Sequence, residues 1–202
     1  MHFIELRSDL LKSHYRLEDF LLLAALESDR PFFHLIRENV PSYEEVVRRL
    51  ILDDRSDLHG GLLAVDPSNG DFAGLMVSNS LKEVSLRQLY SLREYSKSAA
   101  DPPRFRAAIK TFAARKNSSP KHELYYLARL YITEKYRGTG LSREFLSRMF
   151  IDGNQLRANI FGLHVDASNI PAIRLYQRAG FFTKAVASSS VNDYFYMERN
   201  NN

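Results

Sequence analysis

The sequence predicts a mixed α/β fold (α+β mixed), with a central, partly parallel sheet of about seven strands and helices on both faces. Two stretches predict the parallel part. Residues 130–142, Leu-Tyr-Ile-Thr-Glu-Lys-Tyr-Arg-Gly-Thr-Gly-Leu-Ser, run from an apolar strand through a glycine-bearing turn into a helix. Residues 165–181 repeat the design, with a strand end, Asn169 at a helix N-cap, Pro171 in the first turn and Gly180 just past the helix. A third feature supplies antiparallel strands: Pro67-Ser68-Asn69-Gly70 is turn chemistry between the apolar runs 61–66 and 71–78, hence a hairpin.

The remaining elements follow in order. Residues 2–7 form a short apolar strand, and 17–26 a helix with a broad apolar face that closes near Asp29-Arg30-Pro31. Ser42 caps another helix, with Glu44 and Glu45 in its first turn and Arg48 and Arg49 toward its end, as the helix dipole prefers. From residue 80 to 121 the pattern is helical: Val84, Leu86, Leu89 and Leu92, then Phe105, Ile109 and Phe112, recur at helical spacing around the break at Asp101-Pro102-Pro103. These read as an inserted helical pair. Residues 124–133 are rich in Tyr, Leu and Ile and read as a central strand, followed by a helix from 141 to about 151. A strand at 160–165, a helix at 169–179 and an antiparallel pair at 186–190 and 194–198 complete the chain, leaving 200–202 frayed.

Composition bounds the chemistry. The 202 residues, 45% apolar and 12% aromatic, suit one folded domain with a sizeable core. The 28 basic and 24 acidic residues leave a net charge of +4, which is compatible with a polyanionic ligand and decides little. With no cysteine, disulfides, thiolate zinc sites and cysteine nucleophiles are excluded. The six histidines include no His-Glu-x-x-His pattern, so no metal is expected. The longest apolar run, Phe20 to Leu26, is too short to span a bilayer, and the amino terminus lacks the features of a secretory signal. No membrane association and a cytoplasmic setting are therefore expected, and the sequon at Asn117 is expected to be unused. Arg104, Arg106, Lys110, Arg115 and Lys116 read as the solvated face of the insert, so no nucleic-acid partner is expected.

Two parallel strands that each feed a helix put both helix N-termini on one edge of the sheet, where ligands of open α/β sheets bind. The turn at 137–142 points backbone N–H groups and a positive helix end at one spot, which suits a pyrophosphate.

Together these segments resemble the GNAT superfamily of acyl-CoA-dependent N-acyltransferases, including its arylalkylamine-acetylating branch. The family's phosphate loop is matched by Arg137, Gly138, Thr139, Gly140, Leu141 and Ser142, with Ser in the last small position. Its second signature is matched by Asn169, Ala172, Leu175, Tyr176, Gly180 and Phe181. The resemblance is specific over about 124–182. It implies a single acyltransferase domain over 1–199 with the helical insert at about 80–121, splayed fourth and fifth strands, and acetyl-CoA as co-substrate. It further implies that the Arg137–Ser142 loop, Leu130, Tyr131 and Ile132, and Asn169, Ala172 and Tyr176 bind the cofactor, with an oxyanion meeting a backbone N–H near Leu130. Asn169 serves equally well as a helix cap, and Arg137 opens the loop as a pyrophosphate contact.

Acyl transfer from a thioester to an amine needs a neutral amine, oxyanion stabilisation and a proton for the departing thiolate. The resemblance gives the last task to Tyr176, whose other reading is an apolar-face packing residue. Many relatives carry a glutamate base on the central strand, where this chain has Tyr126. The base then falls to Glu27, Asp29, Glu38 or Glu123, with Asp29 favoured because the arylalkylamine branch carries an acid before a proline there; otherwise Asp29 is a solvated turn residue. His164 reads as a structural residue facing away from Leu163 and Val165. The expected reaction is acetylation of a small amine by a monomer or homodimer, against acetylation of a peptide N-terminus or lysine, or acyl-CoA sensing without turnover.

Overall fold

The computed structural model describes residues 1–6, 15–116, 124–187 and 193–201. In chain order the elements are β1 (His2–Glu5), α1 (Tyr15–Ser28), α2 (Arg30–Asn39), α3 (Tyr43–Leu52), β2 (Leu62–Val65), β3 (Phe72–Ser80), α4 (Leu81–Ser98), α5 (Pro102–Lys116) and β4 (Leu124–Ile132). A 3-10 turn (Glu134–Tyr136), α6 (Leu141–Gln155), β5 (Ile160–Asp166), α7 (Ile170–Arg178), β6 (Phe182–Ala187) and β7 (Tyr194–Asn200) follow. The seven strands form one sheet in the order β1-β2-β3-β4-β5-β7-β6. Only β4 and β5 pair in parallel.

The sheet is covered on both sides because its strands alternate apolar side chains between two faces. On one face Leu63, Leu75 and Tyr131 pack with Leu17, Leu21, Ile36, Val47 and Phe105 from α1, α2, α3 and α5. On the other, Leu127, Phe161 and Leu163 pack with Phe145, Met149, Ile173 and Tyr176 from α6 and α7. The helical insert belongs to the first face, where Val84 of α4 meets Leu124 and Tyr126 of β4.

Three elements differ from the sequence expectation. The first helix closes at Ser28, near Asp29-Arg30-Pro31 as expected, but a helix not expected from the sequence, α2, begins at Arg30 with Asp29 as N-cap and Pro31 in its first turn, where its missing N–H costs nothing. The strand expected at 186–190 lies at Phe182–Ala187, with a register shift between Thr183 and Ala185 that leaves Lys184 without an opposite residue; 188–192 lie outside the described residues. The tail expected to fray from 200 instead carries β7 through Asn200, and Asn201 N–H donates to Asn159 O at 2.9 Å. The sequon at Asn117 and the candidate base Glu123 also lie outside the described residues.

Candidate active site

β4 and β5 pair only from Leu124–Ile160 to Leu127–Leu163, although both strands continue. On its other side β4 stays paired with β3 as far as Ile132, but the register shifts so that Ala128 has no opposite residue. An extra residue bends and twists its strand. This bulge, two residues before Leu130, turns the end of β4 away from β5 and opens the gap that the resemblance implied. A cleft of about 1140 Å³ runs through the gap, bordered by β4 from Tyr126 to Ile132, the glycine loop, and the starts of α6 and α7.

At one end, Arg137, Gly138, Thr139, Gly140, Leu141 and Ser142 all border the cleft. Gly138 and Gly140 have φ of +79° and +93°, the left-handed region that side-chain-bearing residues avoid, and a Cβ at either would meet nothing within 4 Å. Glycine is thus required by backbone angle, and open space lies in front. Gly140 caps α6; its carbonyl takes the N–H groups of Arg143 and Glu144 at 2.9 and 3.3 Å, while those of Leu141 and Ser142 have no acceptor within the helix by α-helical geometry. The loop is braced from behind: Thr139 Oγ1 donates to Tyr136 O at 2.8 Å, and Arg137 Nε to Ile132 O at 3.2 Å, with the Arg137 side chain exposed at the mouth. These residues fit a pyrophosphate by amides, helix dipole and one guanidinium.

Asn169 caps α7, its side-chain oxygen accepting from Ala172 N–H at 3.2 Å, and borders the cleft. The amide of Ala172 is used by that bond, so what α7 offers the cleft here is its dipole. Tyr176 lies one helical turn on, buried against Ile173 and Phe181, whose ring is 6.0 Å from its own. Burial pushes its phenol pKa up. It therefore stays protonated at neutrality, and full transfer to a thiolate, whose thiol pKa is about 8.5, is uphill unless the phenol is reprotonated in the same event.

The opposite wall carries Glu27, Ser28 and Asp29 from the α1–α2 corner and Gln88 from α4. Asp29 Oδ1 accepts from the hydroxyl of Tyr194 on β7 at 3.1 Å. Glu38, by contrast, is exposed on α2 and paired with His34 at 3.2 Å; it does not border the cleft.

Three features of this wall escaped the sequence reading. Arg129 of β4 is buried and donates from Nη2 to Asp57 Oδ2 at 2.6 Å and from Nη1 to Ser28 Oγ at 3.1 Å. Burial opposes its charge, but Asp57 outweighs that and the guanidinium pKa is raised. Tyr126, where relatives carry glutamate, has its hydroxyl 2.7 Å from Nδ1 of His164. His164 does face away from Leu163 and Val165 as expected, but the face it occupies borders the cleft. No spacing rule joins residues 126 and 164; only the β4–β5 register does.

Among the described residues no group of three or more His, Asp or Glu side chains has a metal-holding arrangement, and no helix is long and apolar enough to cross a membrane.

The sequence model described as the Acetyltransferase (GNAT) family matches residues 22–181. Among solved structures, an N-acetyltransferase from Staphylococcus aureus Mu50 is 17% identical, covering 98% of this chain and 100% of that one, with a TM-score of 0.61. Another acetyltransferase is 16% identical over 99% of both chains, with a TM-score of 0.58. A nourseothricin acetyltransferase is 17% identical over 70% of this chain, which spans 64% of its length, with a TM-score of 0.46. No curated protein matches the chain in sequence.

Proposed function

Since the chain belongs to the GNAT acetyltransferase family, we propose that it moves an acetyl group from acetyl-CoA to a small primary amine by direct attack of nitrogen on the thioester. One observation carries this reading: the gap between β4 and β5 joins the glycine loop at one end to the acidic α1–α2 corner at the other in a single cleft. A diphosphate held by Gly138–Ser142 would leave the pantetheine arm to lie along Leu130, Tyr131 and Ile132, pairing as an added strand where β5 has turned away.

In this scheme Asp29, near Glu27, accepts a hydrogen bond from the acceptor ammonium and holds it at the cleft mouth. The backbone near Leu130 meets the oxyanion as the carbon–sulfur bond weakens. Tyr176 hydrogen-bonds the departing sulfur and passes its proton as the new amide nitrogen, now strongly acidic, gives one back. Arg137 neutralises phosphate charge. A cytoplasmic setting belongs to the same reading, because a charged co-substrate remains in the aqueous compartment that supplies it.

The deciding experiment is thiol release from acetyl-CoA across a panel of arylalkylamines, polyamines and other small amines, with peptides bearing free N-termini or lysines alongside. Turnover confined to small amines is expected. Turnover only with peptides would move the acceptor class, and tight CoA binding with no thiol released from any acceptor would make the chain a sensor.

A further inference from the structure

Resting on the amine-acetylating reading above, we infer that the hydroxyl of Tyr126 takes a proton from the acceptor ammonium while handing its own to Nδ1 of His164, so that the pair serves as the proton outlet of the site.

Asp29 already accepts from the hydroxyl of Tyr194, and an imidazole is in general a better resting place than a carboxylate for a proton drawn from an amine. Among the described histidines, His164 borders the cleft. It lies one residue past Leu163, and Tyr126 one residue before Leu127, the last residue pair before β4 and β5 separate. The two side chains therefore meet at the point of the gap, across 38 sequence positions, at 2.7 Å. Burial and the nearby Asp29 charge favour the neutral phenol of Tyr126. A neutral phenol donates, so Nδ1 accepts and the imidazole proton resides on Nε2.

The surroundings suit a relay. Tyr126 lies within electrostatic reach of Asp29, Tyr176 and Arg129, and all four border the cleft. His164 is held from behind by the ring of Tyr196 on β7, 4.9 Å away, whose hydroxyl donates to Glu198 at 2.8 Å. The groups around the pair are thus Arg129 from β4, Asp166 on its own strand, Tyr194, Tyr196 and Glu198 from β7, Asp29 from the α1–α2 corner and Tyr176 from α7. Asp166 is turned to Ser168, accepting from its N–H and hydroxyl at 2.7 and 2.6 Å.

The protons balance. One ammonium proton moves to Tyr126 Oη as the Tyr126 proton moves to His164, leaving a neutral amine and an imidazolium. Nitrogen then bonds the thioester carbon, the carbon–sulfur bond breaks, sulfur is protonated through Tyr176, and the second nitrogen proton restores that phenol. His164 finally gives up the proton it received, the one proton the overall reaction yields.

The test is the pH dependence of kcat/KM, read by thiol release with the best amine of the panel, from about pH 5.5 to 9. Wild type should show an acidic limb, where protonation of the imidazole closes the relay. His164→Gln and Tyr126→Phe should each lose about 100-fold at neutral pH and lose that limb, while CoA binding by calorimetry stays within about twofold. Added imidazole should restore activity to His164→Gly and not to Tyr126→Phe. If His164→Gln fails to fold, Tyr126→Phe carries the test, since it removes one oxygen and keeps the ring. Variants that retain the limb, or that stay within about threefold of wild type across the range, overturn the relay and leave the amine reading standing. A wild type that releases no thiol with any amine overturns both.

Discussion

The hydroxyl of Tyr136 donates to Oδ2 of Asp66 at 2.8 Å, tying the residue before the glycine loop to the tip of the β2–β3 hairpin 70 positions away. Lys135 Nζ and Asp71 Oδ2, 2.7 Å apart, make a second tie beside it. The loop at 137–142 is thus held by the hairpin as well as by its own strand and helix.

Tyr136→Phe removes the first tie and keeps the buried ring. A hydrogen bond of this kind contributes about 0.5–1.5 kcal/mol, or more with a charged acceptor, so KM for acetyl-CoA should rise roughly 3- to 10-fold with kcat little changed. Steady-state kinetics with acetyl-CoA varied checks this; an equal loss in kcat at unchanged KM would refute it.

Asp66 also gives a pH signature. The Ser68 hydroxyl and backbone N–H, followed by Tyr136, hold its carboxyl at about 2, below the ordinary 3.8. A carboxyl with a depressed folded-state pKa contributes stability that is present above the ordinary value and is lost as pH falls toward about 2. Melting temperature should therefore fall less steeply between about pH 4 and pH 2 in Asp66→Asn than in wild type. Parallel curves would count against it.

Asp57→Ala strips the partner from a buried guanidinium: the side chains of Arg129 and Asp57 are 6% and 9% exposed. Leaving one member of such a pair uncompensated costs about 3–5 kcal/mol, which denaturant unfolding would measure directly. A loss under about 1 kcal/mol would mean that water reaches the guanidinium in the variant.

Tyr176→Phe tests the sulfur-side proton. The expected result is kcat lower by about 100-fold, the lower end of general-acid contributions, with CoA affinity within about twofold. Unchanged kcat across pH would reduce Tyr176 to a packing residue.

What the chain discloses in sequence is whatever is local. The Gly138–Gly140 turn, the Asn169 cap and the Pro67–Gly70 hairpin turn could be read because each depends on residues within a few positions of one another. The Arg129–Asp57 pair, between β4 and the α3–β2 loop, and the Tyr126–His164 contact, set by the β4–β5 register, span 72 and 38 positions, and no local pattern encodes either. The helix at Arg30–Asn39 was hidden by Pro31, which signals an ending as readily as a first turn. The bulge at Ala128 has no residue signature at all; alanine there differs from its neighbours only in lacking a partner across the ladder.

The β1–β4 and β5–β7–β6 halves of the sheet share just four residue pairs, Leu124–Leu127 with Ile160–Leu163. They are two plates welded along a short edge, with the weld stopping where the cleft starts. Any extended molecule that hydrogen-bonds to the free margin of β4 would prolong that weld, so occupancy should be felt as mechanical stiffness across the whole sheet, with slower amide exchange in strands that the molecule never touches.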